Sequence, residues 1–300
     1  MRSFTVKVLS LLFLSCAIST QSLGAGHTTT FAGNTQRDED LGVVLIGAGD
    51  IAGCLFNASR QTARLLRSLD GTVFTMGDNV YQRGTAKEFR NCYEPTWGHY
   101  KQRTRPSPGN HDYSTKDATP YFEYFGAQAG PPGLGYYSYD IGAWHILSLN
   151  SNVAADESSA QMRWLREDLS RSRHKCTLAY WHHPVFASSM RGNNPRMKEI
   201  YSVLHAYRVD VVVNGHEHYY ERFAPMDANG SRDEVNGIRV FIVGTGGGLL
   251  GIFGKRHPLS EIGLVEHGVI KFTLKNESYE WEFVPAQMSQ PGDSGVGVCH

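Results

Sequence analysis

Apolar residues along this chain gather in short runs, and several runs stop abruptly at the same kinds of residue. Val43-Val44-Leu45-Ile46 runs into Gly49-Asp50. Thr72 to Met76 runs into Gly77-Asp78-Asn79-Val80-Tyr81. Leu178-Ala179-Tyr180-Trp181 runs into His182-His183-Pro184. Val209 to Val213, broken only by Asp210, runs into Asn214-Gly215-His216-Glu217-His218. Short uninterrupted runs of this kind predict strands buried on both faces.

A helical period fills the gaps. Ser59 is placed to cap a helix through Leu69, with Ala63, Leu65, Leu66 and Leu69 on its inner face. Lys87 to Tyr93 predicts a short helix. Ser158 with Gln161 reads as a capping box opening a helix to Leu169. Asn194 and Pro195 read as cap and first turn of a helix through Tyr207. Alternation predicts a hairpin of Tyr136–Asp140 and Trp144–Leu149, and further strands at Ile238–Val243, Val269–Leu274 and Tyr279–Val284. The strand–helix–strand order at the start favours parallel pairing. Residues 113–135, rich in aromatics, glycine and proline, read as a functional loop or lid that sets substrate choice. No repeat or polar linker divides the chain. The sum is one α/β domain with two sheets, the second more antiparallel.

The N-terminus follows a different pattern. Arg2 and Lys7 precede the apolar run Val8 to Ile18, and small residues follow to Ala25. Residues 1–25 therefore read as a secretory signal peptide, too short for a comfortable membrane span. Residues 26–40 are polar and aperiodic, a flexible mature N-terminus. The expected protein is secreted, periplasmic or otherwise extracytoplasmic. Its formal charge is +0, from 29 basic and 29 acidic residues, which asks for no nucleic-acid or anionic membrane surface. Its oligomeric state is left open.

Aspartate, asparagine, tyrosine and histidine gathered after strands point to a metal centre, because open α/β sheets bind ligands outside the carboxyl ends of their strands. Pro108-Gly109-Asn110-His111-Asp112 lies between the runs. Asp50, Asp78, Asn110, His182, His216 and His218 supply oxygen and nitrogen donors from several segments. Each motif alone is weak; all of them in this order form a specific set. Two ions in one pocket repel each other, and a shared carboxylate screens that repulsion. Asp78 is placed to be that carboxylate. Gly244 to Gly248 lacks the Lys-Ser/Thr partner of a nucleotide loop and reads as a tight loop near the site.

The order GD…GDNVY…GNHD…WHHP…GHEH resembles the calcineurin-like metallophosphoesterases, and the Tyr81 spacing resembles their purple acid phosphatase branch. The likeness covers roughly residues 41–285, which makes 41–300 the metallophosphoesterase domain. It implies a four-layer α/β/β/α sandwich of two mixed sheets with a dinuclear metal site at the strand C-termini. Carried over by position, Asp50, Asp78, Tyr81 and His218 resemble ligands of a first metal, iron(III) in that branch. Asp78, Asn110, His182 and His216 resemble ligands of a second, divalent ion (iron, zinc or manganese). His182 is chosen over His183 because the family's ligand stands two before the proline; His183 is left as substrate contact or packing. His111 resembles the histidine that contacts phosphate and protonates the leaving oxygen, with Asp112 orienting it.

The implied function is a secreted phosphomonoesterase of acid phosphatase type. It would hydrolyse small phosphate esters by in-line attack of a hydroxide held between the metals. A phosphodiesterase acting on nucleotides or phospholipid headgroups is the alternative. A non-catalytic secreted binding protein of the same fold is less favoured, because no ligand position is lost. Tyr219, Tyr220 and Trp181 are expected to pack behind the site.

The mature chain holds four cysteines, an even number suited to an oxidising compartment. Free buried thiols are the alternative. Cys54 and Cys92 follow the first two strands at one rim, Cys176 starts a central strand, and Cys299 would tie down the tail. The expected pairs are Cys54–Cys92 and Cys176–Cys299.

Overall fold

A computed structural model of the protein describes residues 41–55, 57–190, 192–287 and 291–300. The predicted signal peptide and the 26–40 segment lie outside the described residues. Among those described, no helix is long and apolar enough to cross a membrane.

The first sheet contains β1 (Val43–Gly47), β3 (Thr72–Met76), β5 (Thr104–Ser107), β13 (Gly268–Leu274), β14 (Ser278–Pro285) and β15 (Asp293–Val298), in the order β15-β14-β13-β1-β3-β5. The second contains β6 (Tyr137–Ile141), β7 (Trp144–Ser148), β8 (Cys176–Trp181), β9 (Val211–Asn214), β10 (Tyr220–Phe223), β11 (Arg239–Val243) and β12 (Ser260–Leu264), in the order β12-β10-β11-β9-β8-β7-β6. A short parallel pair, β2 (Ala52–Gly53) with β4 (Val80–Tyr81), continues the line of β1 and β3.

The sheets face each other across one apolar cluster that joins Leu45, Phe74 and Phe272 to Leu178, Val213 and Phe241. Phe74 meets Tyr180 edge-on at 5.2 Å, and Phe241 meets Phe272 at 5.3 Å. A second cluster buries the helices Ala160–Arg171 and Lys198–Ala206, through Met162, Leu165, Ile200 and Leu204, against Ala179, Val212 and Ile242 of the second sheet. The helix Ala58–Ser68 buries Ser59, Thr62, Ala63 and Leu66, with Leu65 partly buried against the core. The result is the four-layer α/β/β/α sandwich.

Both sheets are mixed, and the second is not the more antiparallel one. Its central pairs β7–β8, β8–β9 and β9–β11 run parallel, while antiparallel pairs lie at its margins. In the first sheet β1–β3 and β3–β5 are parallel and β13 to β15 pair antiparallel. The missed strands lack a continuous apolar run: β5 contains Pro106 at a sheet edge, where a missing donor is tolerated, and β15 reads Asp-Ser-Gly-Val-Gly-Val.

Helix starts shift by a residue or two. Ser59 lies inside its helix, whose N-cap Asn57 makes no side-chain cap bond. Ser159, not Ser158, caps the next long helix by accepting from the Met162 amide. Gln161 turns instead to both backbone polar groups of Asn150. The reciprocal box occurs at Thr85 and Glu88, opening the helical turns before Tyr93. Asn194 caps as expected, accepting from the Arg196 amide.

Residues 113–135 are not a lid. They form short helical turns and the helix Thr119–Phe125, which buries Tyr121 and Phe125 in the main core. Both disulfides form as expected, Cys54–Cys92 and Cys176–Cys299, closing 38 and 123 residues. In the chain-entropy view loops of that size stabilise by about 4 and about 5 kcal/mol.

Candidate metal centre

Parallel neighbours deliver their following residues to the same edge. β1 and β3 end side by side and meet again where Ala52 pairs with Val80, so Asp50 and Asp78 occupy matching positions in the two connections. β8 and β9 end with Trp181 opposite Asn214, so His182 and His216 emerge together. β5 ends beside β3, which brings up Asn110.

The donors fall into two groups. Asp50 Oδ1 accepts the Tyr81 hydroxyl at 2.7 Å, His218 Nε2 lies 3.1 Å from the same oxygen, and the Tyr81 hydroxyl lies 3.0 Å from His218 Nε2. In the other group His182 Nε2 faces three acceptors at once: Asn110 Oδ1 at 3.1 Å, His216 Nδ1 at 3.2 Å and Asp78 Oδ2 at 3.3 Å. One N–H cannot satisfy three acceptors, whereas a cation among them would. An octahedral shell with bonds of roughly 2.0–2.1 Å sets neighbouring donors about 3 Å apart. The donor set therefore fits two ions. Asp50, Asp78 and His182 also offer ligand atoms within 4.8 Å of one another, which links the groups.

Backbone carbonyls set the rings. His182 Nδ1 donates to Met76 O at 2.8 Å, and His218 Nδ1 donates to Leu249 O. Each bond turns Nε2 toward the carboxylates. Asp50, Asp78 and His216 hold positive φ of 59°, 47° and 71°. Non-glycine residues in that region cost free energy and concentrate at functional sites. Gly109 is required for space: a Cβ there would stand 2.2 Å from Asp78 Oδ1.

Asp78, Asn110, His111, His216 and His218 open into a cavity of about 450 Å³, walled further by Ser189, Met190, Glu217, Gly251 and Ile252. Residues 127–134 instead help line a separate cavity of about 570 Å³. Ser189, Met190, Gly251 and Ile252 were not anticipated, since neither of their segments carries a motif. Residues 44–220 match the calcineurin-like phosphoesterase family.

The chain belongs to that family.

Among curated relatives, purple acid phosphatase 15 of Arabidopsis thaliana is 27% identical over 58% of this chain and 40% of its own length. Purple acid phosphatase 21 of the same plant is 27% identical over 78% of this chain and 58% of its own. The chain thus spans about half the length of the curated relatives it matches. Among solved structures, the purple acid phosphatase PPD1 of yellow lupin covers 85% of this chain with 53% of its own, at a TM-score of 0.71 and 18% identity. GAP50, the anchor in the inner membrane complex of Plasmodium, covers 86% of this chain with 90% of its own, at 0.65 and 11%. At such identities the likeness is one of fold.

In this calcineurin-like site the other predicted residues take definite places. The His111 amide donates to Asp78 Oδ1 at 2.8 Å, and its ring Nδ1 donates to Gln82 O at 2.6 Å. Asp112 does not touch that ring. Its Oδ2 accepts from Gly109 N, Asn79 N and Asn79 Nδ2 at 2.9–3.2 Å, and its Oδ1 has no partner. Asp112 therefore orders the loop under His111, and Gln82 supplies the orientation expected of it. Asn79, which sequence alone left without a role, ties Asp112 to Ser107 O and Thr75. His183 is buried, with Nδ1 2.8 Å from Ser151 Oγ. Trp181, Tyr219 and Tyr220 are buried and pack. The Gly244–Gly248 loop is tight and adjacent, with Gly248 N donating to Asp50 O at 2.8 Å.

Burial opposes charge on every group here; at Asp50, Asp78, His182 and His218 the opposite charges win, and at His216, His183 and Asp112 burial does. Despite burial, His218 and His182 hold the Asp50 carboxyl below its usual range, and His182 and His111 do so for Asp78. Against burial, Asp78 and Asp50 lift His182 to about 9, and Asp50 lifts His218 to about 9. Burial and the neighbouring His182 push His216 down to about 4 and His183 to about 2. Burial and the Asp78 charge raise Asp112 to about 7.

Without metal, the raised His182 and His218 values contribute stability that is complete below the ordinary value of 6.5 and lost as pH rises through about 9. Below about 9 both Nε2 atoms carry the protons that ions must displace. Metal loading near pH 7 should therefore release protons, and below about pH 9 affinity should rise about tenfold per unit increase in pH for each proton displaced. Calorimetric titrations in buffers of different ionisation enthalpy measure this. Metal binding without proton release at pH 7 would contradict it.

Proposed function

We propose that the protein is a dinuclear-metal phosphomonoesterase of acid phosphatase type, acting on small phosphate esters. The observation that carries the reading is the convergence of two donor groups on a pair of buried carboxylates beneath an open cavity. The purple acid phosphatase names of its relatives support it.

In this reading Asp50, Asp78, Tyr81 and His218 hold one ion, and Asp78, Asn110, His182 and His216 hold the other. When bound, such a pair acidifies water into a nucleophile at neutral pH and offsets charge on the phosphate. The chain's own groups do the rest. His111 lines the cavity with Nδ1 donating to Gln82 O and Nε2 3.9 Å from Asp78 Oδ2; in its imidazolium form it gives the Nε2 proton to the leaving oxygen and remains as the neutral ring. Asp112 and Asn79 keep the loop carrying Asn110 and His111 in place. Met190 and Ile252, 73% and 71% exposed, flank the opening where the organic part of the ester would lie.

The signal-like start and two disulfides support an exported protein. N-terminal sequencing of the mature form should begin near residue 26; an intact Met1 in the extracellular fraction would refute cleavage.

Hydrolysis of a phosphomonoester and a diester, each with and without chelator, tests the activity. Chelator-sensitive hydrolysis favouring the monoester is expected. A diester preference would establish the phosphodiesterase alternative, and no hydrolysis by metal-loaded protein would remove both. In the same assay His111→Ala should slow alkyl phosphates about 10²–10⁴-fold and nitrophenyl phosphate much less, because a good leaving group needs little protonation. Equal losses would make His111 a phosphate contact only.

Iron(III) is the proposed partner of Tyr81. Burial and the charges of Asp50 and Asp78 raise the phenol well above its ordinary value, and the charge of a trivalent ion opposes both causes most strongly. Phenolate-to-iron charge transfer should colour the protein, and Tyr81→Phe should remove the band. A colourless wild type with stoichiometric iron would exclude Tyr81 as ligand. A colourless zinc protein would remove the iron assignment alone.

A further inference from the structure

A second group of histidine and carboxylate side chains lies at the other end of the second sheet. Asp140 and His145 face each other across the β6–β7 hairpin, at the margin of that sheet. His145 Nδ1 lies 2.8 Å from Asp140 Oδ1, and Nε2 lies 2.7 Å from Asp168 Oδ2. Asp168 belongs to the Ala160–Arg171 helix and is fixed in turn by the Ser138 hydroxyl, which donates to Oδ1 at 2.7 Å. His174, in the turn between that helix and β8, stacks on His145 at 6.0 Å and brings Nδ1 to 3.7 Å from Asp140 Oδ1. Asp140, His145 and His174 thus offer one ligand atom each, all within 4.8 Å of one another.

We propose that Asp140, His145 and His174 form a third cation site, suited to a zinc-like divalent ion, with Asp168 as a positioning residue.

The donor chemistry selects the class of ion. Two imidazoles and one carboxylate are a borderline-soft set of the kind zinc takes, whereas calcium and magnesium prefer oxygen throughout. The second carboxylate has a separate task. By accepting from Nε2 it fixes the tautomer in which the Nδ1 lone pair points toward Asp140, an arrangement that recurs behind metal-bound histidines. An imidazolium at His145 would account for the two short carboxylate contacts but not for the approach of His174 Nδ1 to the same Asp140 oxygen, which a shared cation explains. The Asp140 side chain is 56% exposed and that of His174 27%, so an ion can enter, and a fourth position faces solvent.

Location separates this site from the catalytic one. His145 and His174 stand at the N-terminal ends of β7 and β8, whereas His182 follows the C-terminal end of β8. The six residues of β8 span about 20 Å at the usual strand rise. An ion there meets no reacting phosphate. It would clamp the β6–β7 hairpin to the helix–β8 turn, and it stands whether or not the phosphatase reading does.

Zinc content and thermal midpoint test it, using the metal-loaded protein dialysed against zinc. Wild type should carry one zinc ion per chain more than His174→Gln or Asp140→Asn. Zinc should raise the thermal midpoint of wild type and not that of His174→Gln. His174 lies in a partly exposed turn, so its substitution does not threaten folding, and hydrolysis by the variant should be unchanged. Equal zinc content in wild type and both variants would overturn the site. So would a zinc-dependent midpoint shift that survives His174→Gln.

Discussion

Asp50 and Asp78 are 0% and 1% exposed and stand side by side where strands of one sheet end. A buried carboxylate without a partner costs several kcal/mol, and two adjacent ones also repel each other. Cations must answer them, and the surroundings are arranged to allow it. His182 and His218 are turned by backbone carbonyls so that Nε2 faces the carboxylates. Asp50, Asp78 and His216 accept left-handed backbone. Gly109 leaves the space that a side chain would take from Asp78. In the metal-free protein, protons on the two rings stand in for the ions, which couples metal affinity to pH.

The sheets make this arrangement possible. Parallel pairs at one side of the first sheet and in the middle of the second send consecutive connections to one edge, while antiparallel strands complete both sheets around the core. Those central strands were the legible part of the sequence, because a strand covered on both faces is a continuous apolar run, as in Val43–Gly47 and Cys176–Trp181. Of the strands nearer the margins, the β6–β7 hairpin was legible by its alternation, but others were not. Tyr220–Phe223 and Asp293–Val298 carry charge or glycine at positions that need not be apolar, so their pairing depends on neighbours rather than on pattern. Residues 113–135 misled for a related reason: Tyr121 and Phe125 enter the core from short turns that have no long period.

The site divides in the same way. Ligand candidates were legible because each follows a strand or a glycine and because their order resembles one family. Contacts supplied by main chain left no trace in the sequence: Met76 O, Leu249 O and Gln82 O orient three histidines without any requirement on their side chains. Asp112 was seen but given the wrong neighbour. Adjacency to His111 suggested a bond to its ring, whereas the tight turn directs its carboxylate back to Gly109 and Asn79. Asp140, His145 and His174 belong to no motif and meet only through the hairpin register and the helix–β8 turn.

Metal content of Asp78→Asn reads the proposed shared carboxylate itself, because one side chain would serve both ions. Purified wild type and variant would be compared by elemental analysis after identical loading, with folding checked by circular dichroism. The folded variant should lose both ions of the proposed pair. Two tightly bound ions retained at that pair in Asp78→Asn would contradict it.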